Sequence, residues 1–213
     1  MKQWIKANAK RVILSSIVTL LPVLYGVLRW DQLPNSFTTH WGSDGIADGT
    51  GSKVFVVFGI PAIFLVVNLL CLICTYFDKY NRDKNQKAMG LVLWIMPILS
   101  VFINCIIYKS TDGSEMDLFW LFPVMFGVLF IAMGNYLPKI EKNKTLGIKI
   151  SWTLGNEENW NKTHRLCGKL WVIGGAIILA TSLLPLKWSI YILLAIIFVM
   201  IIVPYIYSYR IYC

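Results

Sequence analysis

The run VFVVFGIPAIFLVVNLLCLICTYF, residues 54–77, contains no Asp, Glu, Lys or Arg. A helix needs about 17–25 predominantly apolar residues to cross a hydrocarbon core of about 30 Å, and this run has that length. A helix on the surface of a soluble protein shows a polar face at every turn, and this one does not. Five further stretches share the property: residues 12–28, 88–108, 118–138, 170–186 and 188–209. The pattern predicts an all-α polytopic membrane protein with six transmembrane helices. Each span also carries a proline, at 22, 61, 97, 123, 185 or 204. In a bundle, neighbouring helices and hydroxyl side chains satisfy the carbonyls that proline frees, so these positions are expected to shape or kink the helices.

Composition agrees: 57% of the 213 residues are apolar and 15% charged, against about 45–50% and about 25% in soluble domains. Disorder requires low hydrophobicity and is excluded. The formal charge of +9 raises direct nucleic-acid binding, but a basic recognition face needs a polar surface, and a mean hydropathy of +0.62 leaves little of one. The positive-inside rule explains the charge better. With the N-terminus in the cytoplasm, Lys2, Lys6, Lys10, Arg11, Lys79, Arg82, Lys84, Lys87, the seven Lys and Arg from Lys139 to Lys169, and Arg210 all fall inside. Only Arg29, Lys53, Lys109 and Lys187 fall outside, among Asp31, Asp44, Asp48, Asp112, Glu115 and Asp117. Both termini are therefore expected in the cytoplasm. The first span is read as a retained anchor, since Leu28, Arg29, Trp30 and Asp31 offer no small-residue cleavage site. The chain divides into an N-terminal two-span module, residues 1–87, and a four-span domain, residues 88–213.

The spans hold no ionisable acid or base, which removes the usual basis of proton-coupled transport. Asn68 and Asn104 are expected to make interhelical hydrogen bonds. His40 and His164 fall on opposite sides and cannot share a metal, and the spacing of His40, Asp44 and Asp48 demands none. No metal and no cofactor is expected. No GxSxG, HExxH or P-loop occurs, so no residue is assigned a catalytic role. Cys71 and Cys74 form a CxxC only by count, inside an apolar helix.

Two loops depart from this monotony. Residues 30–53, WDQLPNSFTTHWGSDGIADGTGSK, are rich in turn formers and too short to fold alone. They are expected to lie across the outer face of the bundle. Residues 138–169 are basic and carry Trp152 and Trp160 near the expected interface, a composition that holds a segment against an anionic leaflet. Within them Asn156, Glu157 and Glu158 read as a helix start. Trp160, His164 and Cys167 share one face of that helix, which leads into the fifth span.

Both loops resemble known motifs. Leu33, Pro34, His40, Trp41, Gly45, Asp48, Ser52 and Lys53 match the extracytoplasmic pattern of a widespread bacterial membrane module. Gly134, Asn135, Pro138, Lys139, Asn143, Gly147, Ile148, Trp152, Thr153, Leu154, Trp160, Thr163, His164, Arg165 and Gly168 closely resemble, in order and spacing, the signature of the SdpI family of bacterial membrane immunity proteins. One departure is Lys149, Ile150 and Ser151 where the family commonly has Arg-Thr-Pro; lysine keeps the charge without the planar fork.

The resemblance implies a multi-pass protein of the bacterial cytoplasmic membrane. Its implied role is protection against a secreted antimicrobial peptide, with a toxin-bound form that holds a cytoplasmic repressor at the membrane. Leu33, Pro34, His40, Trp41, Asp44, Asp48 and Lys53 are the candidate toxin contacts. Asn135, Lys139, Asn143, Lys149, Trp152, Thr153, Trp160, His164 and Arg165 are the candidates for a cytoplasmic partner or a lipid headgroup. The alternative is a membrane enzyme or binding protein acting on a headgroup or other anionic ligand at the cytoplasmic face, with adjacent His164 and Arg165 as acid/base and anion clamp.

Overall fold

The computed structural model describes residues 2–42, 47–78, 85–110 and 120–212. Asp44, Gly45, Lys79, Arg82, Lys84, Asp112, Glu115 and Asp117 lie outside the described residues. Six long helices are present: α1 (Lys2–Leu28), α2 (Ile60–Phe77), α3 (Gln86–Lys109), α4 (Leu121–Tyr136), α6 (Glu157–Ala180) and α7 (Leu186–Tyr212). A short helix, α5 (Ser151–Gly155), precedes α6. Six candidate spans follow from length and apolarity, and the chain is a multi-pass helical membrane protein. The helices outrun the charge-free runs. α6 begins at Glu157, so Lys162, Arg165 and Lys169 belong to the same helix as the fifth span.

Pro22, Pro97 and Pro204 lie inside helices. The others mark ends: Pro123 is in the first turn of α4 and Pro185 precedes α7. Pro61 sits one residue into α2, behind a wide π turn over Phe55–Gly59 in which Ile60 N–H donates to the Phe55 carbonyl. Proline cannot donate to the carbonyl four residues back and crowds it, and the wide turn falls where that conflict arises.

The chain groups into two compact units that no single cut in the sequence produces. The first comprises Met1–Phe77 and Met89–Met116, the second Asp78–Ala88 and Asp117–Cys213. Most of α3 thus sorts with α1 and α2 rather than with the helices after residue 87. The reason is visible in its side chains: Ser100 Oγ donates to the Thr19 carbonyl at 2.8 Å and Tyr108 Oη to the Pro22 carbonyl at 3.1 Å. Asn68 Nδ2 adds a 3.5 Å bond to Ser15 Oγ, the helix-to-helix bond expected of it. Asn104 instead donates to Ser100 one turn back on its own helix.

The first unit also contains a hairpin that sequence reading missed. Residues 30–53 are not merely turns. After a 3₁₀ turn at Trp30–Gln32, strands β1 (Ser36–Trp41) and β2 (Ala47–Ser52) form an antiparallel hairpin with an irregularity around Thr39. In the second unit, α4 and α6 run antiparallel along a glycine seam. A Cβ on Gly134 would lie 2.8 Å from Val172 N and 2.9 Å from Gly168 O; one on Gly127 would lie 2.8 Å from Gly175 O and Leu179 N. Backbones this close exclude any side chain, the usual way membrane helices pack tightly.

Candidate functional site

The basic loop of the second unit is built on α6. Asn156 caps that helix, its Oδ1 accepting from Glu158 N at 2.8 Å and Asn159 N at 3.2 Å, so the expected helix start is where it forms. Trp160, His164 and Cys167 all lie on the buried face, and Trp160 and Cys167 join Ala88, Leu137 and Ile140 in a small core. The Trp160 indole N–H donates to the Ile140 carbonyl at 2.8 Å, and its ring stacks on the His164 imidazole with centroids 4.0 Å apart.

His164 is 1% exposed, and both its nitrogens are engaged. Ile148 N–H donates to Nε2 at 3.0 Å, so that nitrogen carries no proton. Nδ1 then carries the hydrogen and donates to the Trp160 carbonyl at 2.8 Å. These partners define a neutral imidazole of fixed tautomer. Gly147 lies against the same ring edge with φ of 95°, and a Cβ there would fall directly on Nε2, so only glycine serves.

Other buried side chains fold the rest of the loop. Asn143 accepts from Leu146 N at 2.6 Å and Thr145 N at 2.9 Å, and donates to the Glu141 carbonyl at 2.8 Å. Asn85 brackets Glu141, accepting from its N–H at 2.9 Å and donating to its carbonyl at 3.1 Å. Asp78 accepts from Lys144 N at 2.6 Å. Thr153 Oγ1 accepts from Ile150 N at 3.0 Å and reaches the Ile148 and Ile150 carbonyls at 2.9 Å, closing the turn into α5. Trp152 is half-buried and meets Tyr205, Tyr209 and Tyr212 at ring separations of 5.2, 5.5 and 6.2 Å.

The candidate inner residues therefore divide. Asn143, Thr153, Trp160 and His164 are buried and make the loop; Asn135, Lys139, Lys149 and Arg165 are exposed on it. Lys149 Nζ donates to the Thr145 carbonyl at 3.0 Å, and Lys139 lies 5.3 Å over the Tyr136 ring. The structure does not bring His164 and Arg165 together. Consecutive helical residues do not face each other, so one is sealed in and the other points out.

Sequence reading missed Asn159 and Ser208. Asn159 Nδ2 donates to the Ser208 carbonyl at 2.8 Å, while Ser208 Oγ and Thr163 Oγ1 donate to Asn159 Oδ1 at 2.7 and 3.0 Å. All three residues are fully buried and lock α6 to α7. The Asn159 and Thr163 pair, one turn apart on the face of Trp160, was the available signal.

The hairpin of the first unit is anchored by one ring. Phe37 is fully buried in a cluster with Val56, Val57, Ile107 and Tyr108, against which Trp30, Leu33 and Trp41 pack. Lys53 Nζ donates to the Trp30 carbonyl at 3.0 Å and lies 5.1 Å over its ring. His40 Nδ1 pairs with Asp48 across the strands, both largely exposed. Pro34 is exposed beside them, and Asp44 is outside the described residues.

Six spans, an anchored hairpin and a folded basic loop define a polytopic membrane protein whose distinctive chemistry lies in its loops. The SdpI/YfhL protein family matches residues 139–208, and a domain of unknown function, DUF1648, matches residues 17–65. The chain is 25% identical over 203 residues to "Immunity protein SdpI" of Bacillus subtilis strain 168, covering 95% of this chain and 96% of that protein. Residues 139–208 are thus similar to the SdpI/YfhL family, and the chain resembles the immunity protein along nearly its whole length. No solved structure matches it significantly.

Proposed function

We propose that this chain is an integral membrane immunity protein that protects its bacterium against a secreted antimicrobial peptide, and that the hairpin at residues 36–52 receives the peptide. Similarity to an immunity protein over 95% of the chain carries the reading. The hairpin supports its location, because His40, Asp48 and Pro34 stand exposed on a rigidly anchored element. Expression in a peptide-sensitive bacterium should raise the inhibitory concentration of the toxin. His40→Ala and Trp41→Ala should lower that protection while the protein still inserts. Full protection by both variants would remove the hairpin from the reading, and no protection by the native chain would remove immunity itself.

A second role, capture of a cytoplasmic repressor in the toxin-bound state, is favoured by the inner loop. Its buried polar network holds Lys139, Lys149 and Arg165 on a fixed surface suited to an acidic protein face. Such signalling needs two bundle states with different affinities for the repressor. Toxin-dependent co-purification of a repressor tests it, and its loss in Lys149→Glu/Arg165→Glu would locate the contact. The enzymatic alternative is less favoured, because His164 has no free nitrogen with which to move a proton.

A further inference from the structure

The hairpin has one strand whose outer edge is bare. Among the described residues the sheet contains only β1 and β2. Its register pairs Ser36 with Ser52, Phe37 with Gly51 and Thr38 with Thr50. One bond sets the phase: Lys53 N–H donates to the Asn35 carbonyl at 3.0 Å, so Asn35 and Lys53 form a hydrogen-bonded pair. Hydrogen-bonded and non-hydrogen-bonded pairs alternate along an antiparallel ladder. Phe37 and Gly51 therefore bond inward to each other. The main-chain N–H and C=O of Thr50 and the N–H of Ser52 point out of β2, away from β1, and no backbone bond to another described residue receives them; the Ser52 carbonyl already caps the helical turn that begins at Lys53.

Exposed edges are normally blunted by lysine, proline, a bulge or a covering element. β1 has its irregularity at Thr39, and its Phe37 belongs to the cluster against which Trp30 and Leu33 pack. β2, Ala47–Ser52, has no lysine, no proline and no large side chain. Its one charged residue, Asp48, is turned toward His40. Gly49 and Gly51 face back onto His40 and Thr39. What remains outward is the N–H and C=O of Thr50 and, two residues and about 7 Å along, the N–H of Ser52, a spacing that another extended chain matches.

We propose that β2 accepts an extended segment of a peptide as a third strand, through the main-chain N–H and C=O of Thr50 and the N–H of Ser52. The ligand class is a cationic peptide, since within residues 29–53 Asp31, Asp44 and Asp48 outnumber Arg29 and Lys53. Affinity would come from the peptide backbone, so one edge could serve peptides of differing sequence. The inference deepens the immunity reading and rests on it for the identity of the natural ligand.

The test uses the full chain in nanodiscs and a synthetic alternating Lys-Val octapeptide amide, with the same peptide N-methylated at alternate residues as control. Backbone amide exchange at Thr50 and Ser52 should slow by about tenfold or more with the unmodified peptide at saturation, and should not change with the N-methylated one. Thr50→Pro, which removes an outward N–H, should abolish the effect, and Thr50→Ala should keep it. Retained protection at Phe37 and Gly51 verifies that the ladder survives the proline.

Equal effects of both peptides, or none from either, would overturn strand addition. So would Thr50 and Ser52 already protected without peptide in discs holding two chains, since a second copy would then occupy the edge. The resistance assay is a separate readout. A chain giving no resistance yet showing edge protection keeps the strand site and loses immunity, whereas full resistance from Thr50→Pro keeps immunity and removes this edge from toxin binding.

Discussion

The hairpin and the basic loop are both short polar segments held at helix ends, yet they are stabilised in opposite ways. The hairpin hangs on one apolar ring: Phe37 is 0% exposed, while β2 is largely solvent-facing and the His40–Asp48 pair stands in the open. The loop turns its polar side chains inward. Asn143, Thr153, Asn159 and His164 are each at most 2% exposed, and each has hydrogen-bond partners. Buried polar groups are costly when one partner is removed, whereas exposed pairs are screened and worth little. The comparison teaches that the hairpin's polar pair His40–Asp48 stands exposed and contributes little to its fold, while most of the loop's polar residues are committed to theirs.

The largest expected break is at the anchor. Phe37→Ala should cost about 3–5 kcal/mol of local stability, as for other buried phenylalanines, and should appear as rapid amide exchange throughout 36–52 with α4 and α6 unaffected. Next come the committed polar groups. His164→Ala orphans the part-buried Ile148 N–H, and Asn143→Ala those of Thr145 and Leu146; each should cost about 1–3 kcal/mol, read as a lower denaturation midpoint in micelles. Arg165→Ala, one residue from His164 but exposed, should move that midpoint by less than about 0.5 kcal/mol.

Gly134→Ala places its Cβ 2.8 Å from a backbone nitrogen that cannot swing aside, and should cost about 1–3 kcal/mol. Gly90→Ala, with nothing within 4 Å, is the control. The smallest effect is expected at Asp48→Asn, below about 1 kcal/mol for an exposed pair. If that substitution lowers resistance strongly while hairpin exchange is unchanged, Asp48 acts on the ligand rather than on the fold.

The six spans were legible because a charge-free run of membrane length has few other readings. The loop's helix start was legible as well, since Asn156 with two following acids is a local signal. Apart from the interhelical bond expected of Asn68, what failed to show were arrangements that depend on pairing over distance. β2 reads as turn because Asp48, Gly49 and Gly51 have low strand propensity, and its strand character comes from alignment with β1. Asn159 and Ser208 are separated by 49 residues, so nothing local announces their bond. His164 beside Arg165 suggested a shared site because sequence adjacency hides the rotation of about 100° per residue along a helix.

The glycine seam between α4 and α6 bears on the order in which this chain assembles. It fixes the separation and vertical register of Tyr136 and Glu157, the two ends of the segment that becomes the basic loop. Pairing of these helices meets the entropic cost of closing that segment, whether or not its own hydrogen bonds have formed. Its asparagines and histidine need only condense a tethered chain, and slippage of the helix pair by a single turn, about 5.4 Å, would withdraw His164 from Ile148. The surface of the basic loop is in this sense a readout of helix registration between α4 and α6.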